Sequence, residues 1–367
     1  MGVMTQNVID MLLIIIGLVV TPIMFFRFPR LSKSNRESYT SSLSIIIPAR
    51  NEEKSLPLLL EDLCAQSCQP LEIICVDDDS SDSTAQIAES FGVRVISLHD
   101  KPQGWLGKTW ACHNGANAAK GDLLLFLDAD VRLGPNAISR LLETYSEQNC
   151  TISVQPYHVT EELYEQFSLP FNLIQIAANG TTLPKQKSVG LFGPVILISK
   201  NDHIKIGGHE SVRKNIIEDI ALGQKLKEAG LPFDLFVGDK DLSYRMYNDG
   251  VRGLLQGWIK NIAAGAAKTH WYLFIEVFLA ITSMASVPIH IAAYSLSANY
   301  KWLILYVVLY MIWVLVLYIL AQKAGRFRLL PIILYPILII VLVCVFLVSM
   351  LKKIFGLKVV WKGRAIN

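Results

Sequence analysis

The 367-residue sequence lacks several signatures that would quickly assign it. No G-x-G-x-x-G follows its first strand-like run, where Pro48-Ala49-Arg50-Asn51-Glu52 stands instead, and no G-x-x-x-x-G-K-[ST] occurs. A Rossmann dinucleotide site and a P-loop are thereby excluded, because both rest phosphates on a glycine-rich turn. The six cysteines (Cys64, Cys68, Cys75, Cys112, Cys150 and Cys344) show no paired C-x-x-C spacing. They read as reduced thiols of a cytoplasmic domain. Net charge is only +3, and no basic run is interleaved with aromatics, so no nucleic-acid partner is expected. Internal repeats and low-complexity segments are absent as well.

Apolar residues are plentiful: they make up 52% of the chain, with mean hydropathy +0.39, and the excess lies at the two ends. Met11 to Phe26 carries no charge and, with Val8 and Ile9, comes near the roughly 17 residues needed to span a bilayer. No positive region precedes this run and no small-residue cleavage site follows it. Arg27, Arg30, Lys33 and Arg36 come directly after. Residues 1–30 therefore read as a transmembrane anchor with the following chain on the cytoplasmic side.

Three more apolar stretches, Val277 to Tyr300, Trp302 to Gln322 and Leu329 to Leu351, make residues 272–351 a C-terminal transmembrane region. Residues 352–367 form a basic tail with Lys352, Lys353, Lys358, Lys362 and Arg364. Lys323, Arg326 and Arg328 also favour the inside, only one crossing away. Either the stretch with Pro288 and His290 or the one with Pro331 and Pro336 is then expected to be re-entrant or interfacial, and the parity stays open.

The middle, residues 41–265, has soluble composition. Leu43 to Ile47 reads as a buried strand stopping at Pro48, and Leu56 to Cys64 as a helix. Leu71 to Val76 is a second strand, Ala85 to Phe91 a helix, and Val93 to Leu98 a third strand. Trp110 to Ala119 is a further helix, followed by the strand Asp122 to Leu127. Alternation of this kind predicts an α/β fold with a mostly parallel sheet, in which ligands sit at the carboxyl ends of the strands.

Three of those ends are polar: Pro-Ala-Arg-Asn-Glu at 48–52, Asp-Asp-Asp-Ser-Ser-Asp at 77–82, and Asp-Ala-Asp at 128–130. One acidic strand end is a turn. Three on one rim suit a nucleotide diphosphate held through a metal. Asp128 and Asp130, at i and i+2, leave the strand on one side as a hard oxygen pair for Mg²⁺ or Mn²⁺. Asp130 is taken as the direct ligand and Asp128 as lying closer to the ribose or sugar.

In order, "SIIIPARNEE", "IICVDDDSSDST" and "GDLLLFLDADV" resemble the family 2 inverting glycosyltransferases of GT-A fold, across roughly residues 41–235. More narrowly, "GWLGKTWACHNG", "SVQPYH", "FGP", "GGH", "IIEDIALG", "RMY", "GWIKN" and "VVWKGR" resemble the membrane-bound members of that family that act in carotenoid biosynthesis. Hopanoid-associated members share several of these. The resemblance implies a UDP-sugar donor, with glucose expected, and a membrane-dissolved apolar lipid acceptor. It places Asp78 where the family's aspartate accepts from the uracil imide, a role for which a carboxylate is suited. Asp79 stands where glycine is usual, so the turn requires a left-handed aspartate. Asp77, Asp79 and Asp82 are assigned turn and cap duty.

Pro48, Ala49, Arg50 and Glu52 are expected on the nucleoside side. Lys108 is a candidate diphosphate contact, with a solvated helix-start lysine as the plainer reading. Glu218 and Asp219 open a helix, where acids complement the dipole. The family places its catalytic base here, so Asp219 is the first choice and Glu218 the second. Gln256-Gly257-Trp258-Ile259-Lys260 lacks the Arg-Trp ending of the processive members' Q-x-x-R-W motif, which favours transfer of a single sugar. Trp258 and Lys260 are then assigned to the acceptor or diphosphate side, with Trp258 as a membrane-interface anchor the alternative. The competing functions are a transferase for a hydroxyl-bearing lipid such as a hopanoid or diacylglycerol, a processive polysaccharide synthase, and a membrane scaffold with a decayed GT-A domain.

Overall fold

The computed structural model of the chain describes residues 2–34, 36, 39–185, 188–357, 359–361 and 364–366, and Lys358 and Lys362 of the basic tail lie outside them. Contacts gather the chain into two units. One comprises residues 29–159 and 188–246 with the C-terminal strands Val359–Trp361 and Arg364–Ile366; the other comprises residues 1–28, 160–187 and 247–357. Composition draws residues 41–265 as one domain, whereas residues 160–187 and 247–265 belong with the apolar helices. The reason is visible in Ser168–Ala178, where Leu169, Phe171, Leu173, Ile176 and Ala177 are all buried. A helix apolar on several faces must be surrounded rather than laid on a sheet.

The first unit is built on seven strands: β1 (Leu43–Ala49), β2 (Glu72–Asp77), β3 (Arg94–Ser97), β4 (Leu123–Leu127), β6 (Thr151–Gln155), β8 (Val195–Ser199) and β9 (Phe233–Val237). Their order is β3-β2-β1-β4-β8-β6-β9, and only β8 runs against its neighbours. Every residue of β4 is buried, as its unbroken Leu-Leu-Leu-Phe-Leu run requires of a strand covered on both faces. Two apolar layers flank it, one around Ile45, Leu125 and Leu59, the other around Ile46, Leu124 and Leu222.

β1 does not stop at Pro48 but runs through it to Ala49. Pairing with β4 ends at Ile46, while pairing with β2 continues to Ala49, so the proline lies where β1 has lost one neighbour. A smaller ladder pairs β10 (Leu242–Tyr244) antiparallel with β5 (Val131–Leu133) and parallel with β7 (Tyr157–Val159). The helices of this unit are α2 (Leu56–Cys64), α3 (Thr84–Ser90), α4 (Gly107–Ala118), α5 (Ala137–Gln148), α7 (Lys200–Lys205) and α8 (Glu218–Glu228).

The helical unit contains α1 (Gly2–Met24), α6 (Ser168–Ala178), α9 (Val251–Ala266), α10 (Trp271–Leu296), α11 (Tyr300–Ala324), α12 (Leu329–Ile333) and α13 (Tyr335–Ile354). α10, α11 and α13 are long and apolar enough to cross a membrane. At 1.5 Å per residue each reaches or exceeds the ~30 Å of a hydrocarbon core. The apolar part of α1, Val8–Met24, is shorter. Pro288 sits inside an unbroken α10, whereas the segment with Pro331 and Pro336 divides at Leu334 into α12 and α13. Pro336 occupies the first turn of α13, where its missing N–H costs no hydrogen bond. Ser283 Oγ of α10 donates to the Ile14 carbonyl at 3.0 Å, and a Cβ added at Gly17 would collide with Ser283. Small residues thus bring α1 and α10 close, as apolar surroundings favour.

Candidate active site

The ends of β1 and β2 are tied into one polar rim. Asp78 N–H donates to the Ala49 carbonyl at 2.9 Å, and Asn51 N–H donates to Ser80 Oγ at 3.0 Å. Arg50 turns its guanidinium onto the carbonyls of Asp78 and Asp79 and lies 3.6 Å from the Asp79 carboxylate. It therefore braces the turn that carries Asp78, a more specific task than its sequence position disclosed. Asp79 adopts φ +56, the left-handed conformation expected of a residue standing in for glycine. The Asp77 carboxylate accepts from Ser80, and that of Asp82 accepts from Glu53 N–H and Thr84 N–H. Both therefore perform turn and cap duty. Asp78 is buried, Ala49 is buried below it, and Pro48 and Glu52 are half-buried.

A second group of charges gathers where β4, α4 and α8 end or begin. α4 starts at Gly107, earlier than the helical pattern predicts, and so carries Lys108 on its first turn. Lys108 Nζ lies 2.6 Å from Asp128 Oδ1 and 3.3 Å from Glu218 Oε1. Burial works against the Lys108 ammonium, but Asp128 and Glu218 outweigh it and hold its pKa well above the usual lysine value. Lys108 does stand at the helix start with 36% of its side chain exposed, but it is held there by two carboxylates. Asp128 and Asp130 flank Ala129 in the turn from β4 to β5, and both are half-buried.

Asp219 is separated from Glu218 by its surroundings. Its Oδ1 accepts from Ile220 N–H at 2.8 Å, as a first-turn acid does. The chain at 190–194 closes over its other side. A Cβ at Gly193 would lie 2.9 Å from Asp219 Oδ2 and 3.3 Å from Lys108 Nζ, while one at Gly190 would collide with Ile220 backbone. Only glycine leaves this approach open. Burial pushes the Asp219 carboxyl up to about 7, with the Glu218 carboxylate adding to the rise and Lys108 opposing it. Of the two acids, Glu218 is the partner of Lys108, and Asp219 is the one whose carboxyl burial raises.

The sequence pattern assigns Gly190 and Gly193 no role; only Gly193 falls in a marked motif, the Phe-Gly-Pro triplet at 192–194. Trp258 and Lys260, assigned to the acceptor or diphosphate side, lie on α9 in the helical unit. Trp258 is 4% exposed, with one face stacked on Phe171 at 4.6 Å and its ring met edgewise by Tyr247. It packs the unit's interior and is not an exposed anchor at a membrane interface. Lys260 is half-buried.

Among the described residues, no three His, Cys, Asp or Glu side chains converge as a ready-made metal cage. A small divalent ion held by one or two carboxylates and completed by phosphate oxygens needs none. Asp128 and Asp130 are hard carboxylates in one turn, both half-buried, and such an ion would take the place that Lys108 holds on Asp128 Oδ1.

The profile of glycosyl transferase family 2 matches residues 44–220, which contain all three strand ends and both acids. A 4,4'-diaponeurosporenoate glycosyltransferase of Staphylococcus haemolyticus is 36% identical over 347 residues, 91% of each chain. A protein of the same name from Staphylococcus aureus is 34% identical over 333 residues, 88% of each chain. A mannosyltransferase of Pyrobaculum calidifontis, solved with GDP-mannose and Mn²⁺, shares the fold with TM-score 0.54 at 12% identity, over 94% of this chain and 99% of that one. With its GT-A sheet, its acidic strand ends and relatives that match nearly its whole length, the chain belongs to glycosyl transferase family 2 and is a glycosyltransferase.

Proposed function

We propose that the enzyme transfers one sugar, glucose, from a UDP-sugar to an apolar carotenoid carboxylic acid with inversion, forming a glycosyl ester. The observation that carries this reading is the likeness over nine-tenths of the chain to two relatives named for a carotenoid-acid acceptor. The site supports it chemically. Asp78 accepts from the uracil imide, with Arg50 bracing its turn and Pro48, Ala49 and Glu52 beside it. Asp130 and Asp128 would hold Mg²⁺ or Mn²⁺, which would supply positive charge against the diphosphate. Lys108 adds a cation on the same side.

The acceptor carboxylate attacks the anomeric carbon opposite the diphosphate. Carboxyl groups ionise near pH 4, so this nucleophile needs orientation more than deprotonation. Asp219, with its pKa about 7, can carry a proton near neutrality and then donates a hydrogen bond to the acceptor instead of repelling it. The three long apolar helices support membrane residence, and the arginines and lysines after α1 support a cytoplasmic catalytic unit within a multi-pass protein.

Lipids from a host supplied with candidate acceptors are expected to contain an alkali-labile sugar ester of an apolar acid, detected by mass spectrometry. Transfer only to hydroxyl lipids would replace the carotenoid acid with a hopanoid or diacylglycerol acceptor and leave the glycosyltransferase assignment standing. The nucleotide half is tested separately. Asp78→Ala is expected to weaken UDP binding about tenfold by calorimetry and to raise the donor KM more than it lowers kcat. Unchanged UDP affinity would remove Asp78 from the nucleotide site.

A further inference from the structure

The triplet Arg-Met-Tyr at 245–247 is a marked motif that the chemistry above does not use. It follows β10, whose Leu242 and Tyr244 are buried in the apolar layer around Ile45, and alternation turns the next side chain, Arg245, away from that layer. Tyr244 pairs with Val131, so Arg245 stands opposite Asp130, and its N–H donates to the Asp130 carbonyl at 3.3 Å. Directly opposed residues of an antiparallel pair hold their Cβ atoms about 5 Å apart. The register thus sets Arg245, half-buried, at the rim that carries Asp128 and Asp130.

Charge balance points to a role. Asp128, Asp130 and Glu218 gather at this rim with Asp219 beside them, and Lys108 already lies between Asp128 and Glu218. A carboxylate acceptor brings a further negative charge to the same place, where exclusion of water strengthens repulsion. Several arginines of the catalytic unit are engaged elsewhere. Arg50 braces the Asp78 turn, Arg132 forks onto Asp62 at 2.5 and 2.9 Å, Arg140 meets Asp239 at 2.7 Å, and Arg213 pairs with Glu210 at 3.5 Å. A guanidinium offers parallel N–H groups that match both oxygens of a carboxylate, so it fixes orientation as well as charge. A hydroxyl acceptor carries no charge to balance.

We propose that Arg245 binds the carboxylate of the acceptor and aims one of its oxygens at the anomeric carbon, so that the enzyme selects an apolar acid over the corresponding alcohol. The inference rests on the acceptor being an apolar acid. The carboxylate oxygen forms its bond to the anomeric carbon as the bond to the diphosphate oxygen breaks, UDP leaves with that electron pair, and no proton need move.

The test uses the full-length protein in phosphatidylcholine nanodiscs at pH 7, titrated with a polyene carboxylic acid and with the primary alcohol of the same chain. Wild type is expected to bind the acid more tightly. Arg245→Gln is expected to weaken acid binding and raise the acid KM about ten- to a hundredfold, the range of a charge-assisted hydrogen bond. Alcohol binding, UDP affinity and Mn²⁺ uptake with UDP are expected to stay unchanged. Arg245→Lys, which keeps the charge and loses the fork, is expected to recover part of the loss.

In variants that retain the wild-type circular dichroism, weaker UDP binding would reassign Arg245 to the diphosphate, and weaker Mn²⁺ uptake would reassign it to Asp130. Either result overturns the proposal, as do equal losses for acid and alcohol or an unchanged acid KM. If Arg245→Gln fails to fold, Arg245→Lys makes the same comparison, with a smaller loss confined to the acid expected and equal effects on acid and alcohol overturning. Acid-selective binding that Arg245→Gln abolishes, in an enzyme that esterifies no apolar acid, would refute the proposed function alone. Ester formation with acid binding untouched in that variant would refute the role of Arg245 alone.

Discussion

Asp130→Ala and Asp130→Asn are each expected to reduce sugar transfer by about 10²–10³-fold or more, while leaving membrane insertion and the secondary-structure content unchanged. Removing a preorganised electrostatic group at a site of developing charge has effects of that order. The fold should tolerate the change because Asp130 lies in the turn after β4, half-buried, whereas the strand is held by Leu123–Leu127 in the centre of the sheet. Asparagine retains the shape and loses the charge, so equal losses in both variants would assign the effect to charge. A binding readout accompanies the kinetics. Mn²⁺ uptake in the presence of UDP, followed by electron paramagnetic resonance, is expected to weaken in both variants. Full transfer in excess EDTA, or wild-type Mn²⁺ uptake by either variant, would end the metal role of this pair.

Asp219→Asn is expected to lower kcat on a hydroxyl acceptor by about 10²-fold or more, because an alcohol must lose its proton during attack and asparagine cannot take it. On a carboxylate acceptor the same variant is expected to keep most of its turnover. The pH dependence separates the two cases. With the Asp219 pKa about 7, the ionised base is present above that pH and is lost below it, so transfer to an alcohol should fall about tenfold per unit as pH decreases from 7. Transfer to a carboxylate has the opposite sign. The neutral acid form donates to the acceptor below pH 7, and two like charges oppose each other above it. Asparagine imitates the neutral form, and the step near pH 7 should vanish from its profile. Glu218→Gln belongs in the same assay: it releases Lys108, held at 3.3 Å, and removes a charge that raises the Asp219 carboxyl, so donor affinity should change and the step should move to lower pH. Identical pH profiles for wild type and Asp219→Asn would remove Asp219 from the proton chemistry.

The sequence alone shows the α/β alternation, the three polar strand ends and the long apolar helices. These are local properties: β4 reads as buried because every residue in it is apolar, and Asp79 reads as a turn residue because its chemistry tolerates a left-handed backbone. It also pointed to Glu218 and Asp219 together at a helix start, where any acid is favoured, and so could not separate them.

Tertiary structure alone decided the rest. Lys108 meets both Asp128 and Glu218 only because β4, α4 and α8 converge. Burial raises the Asp219 carboxyl only because the chain at Gly193 comes so close to it. Residues 160–187 leave the catalytic unit because the buried faces of α6 need apolar helices around them. Trp258, whose motif suggested an acceptor platform, is instead stacked on Phe171 inside the helical unit. Periodicity and composition report which faces of an element are apolar. Desolvation and charge pairing depend on which distant element covers that face, and they set the protonation of Asp219.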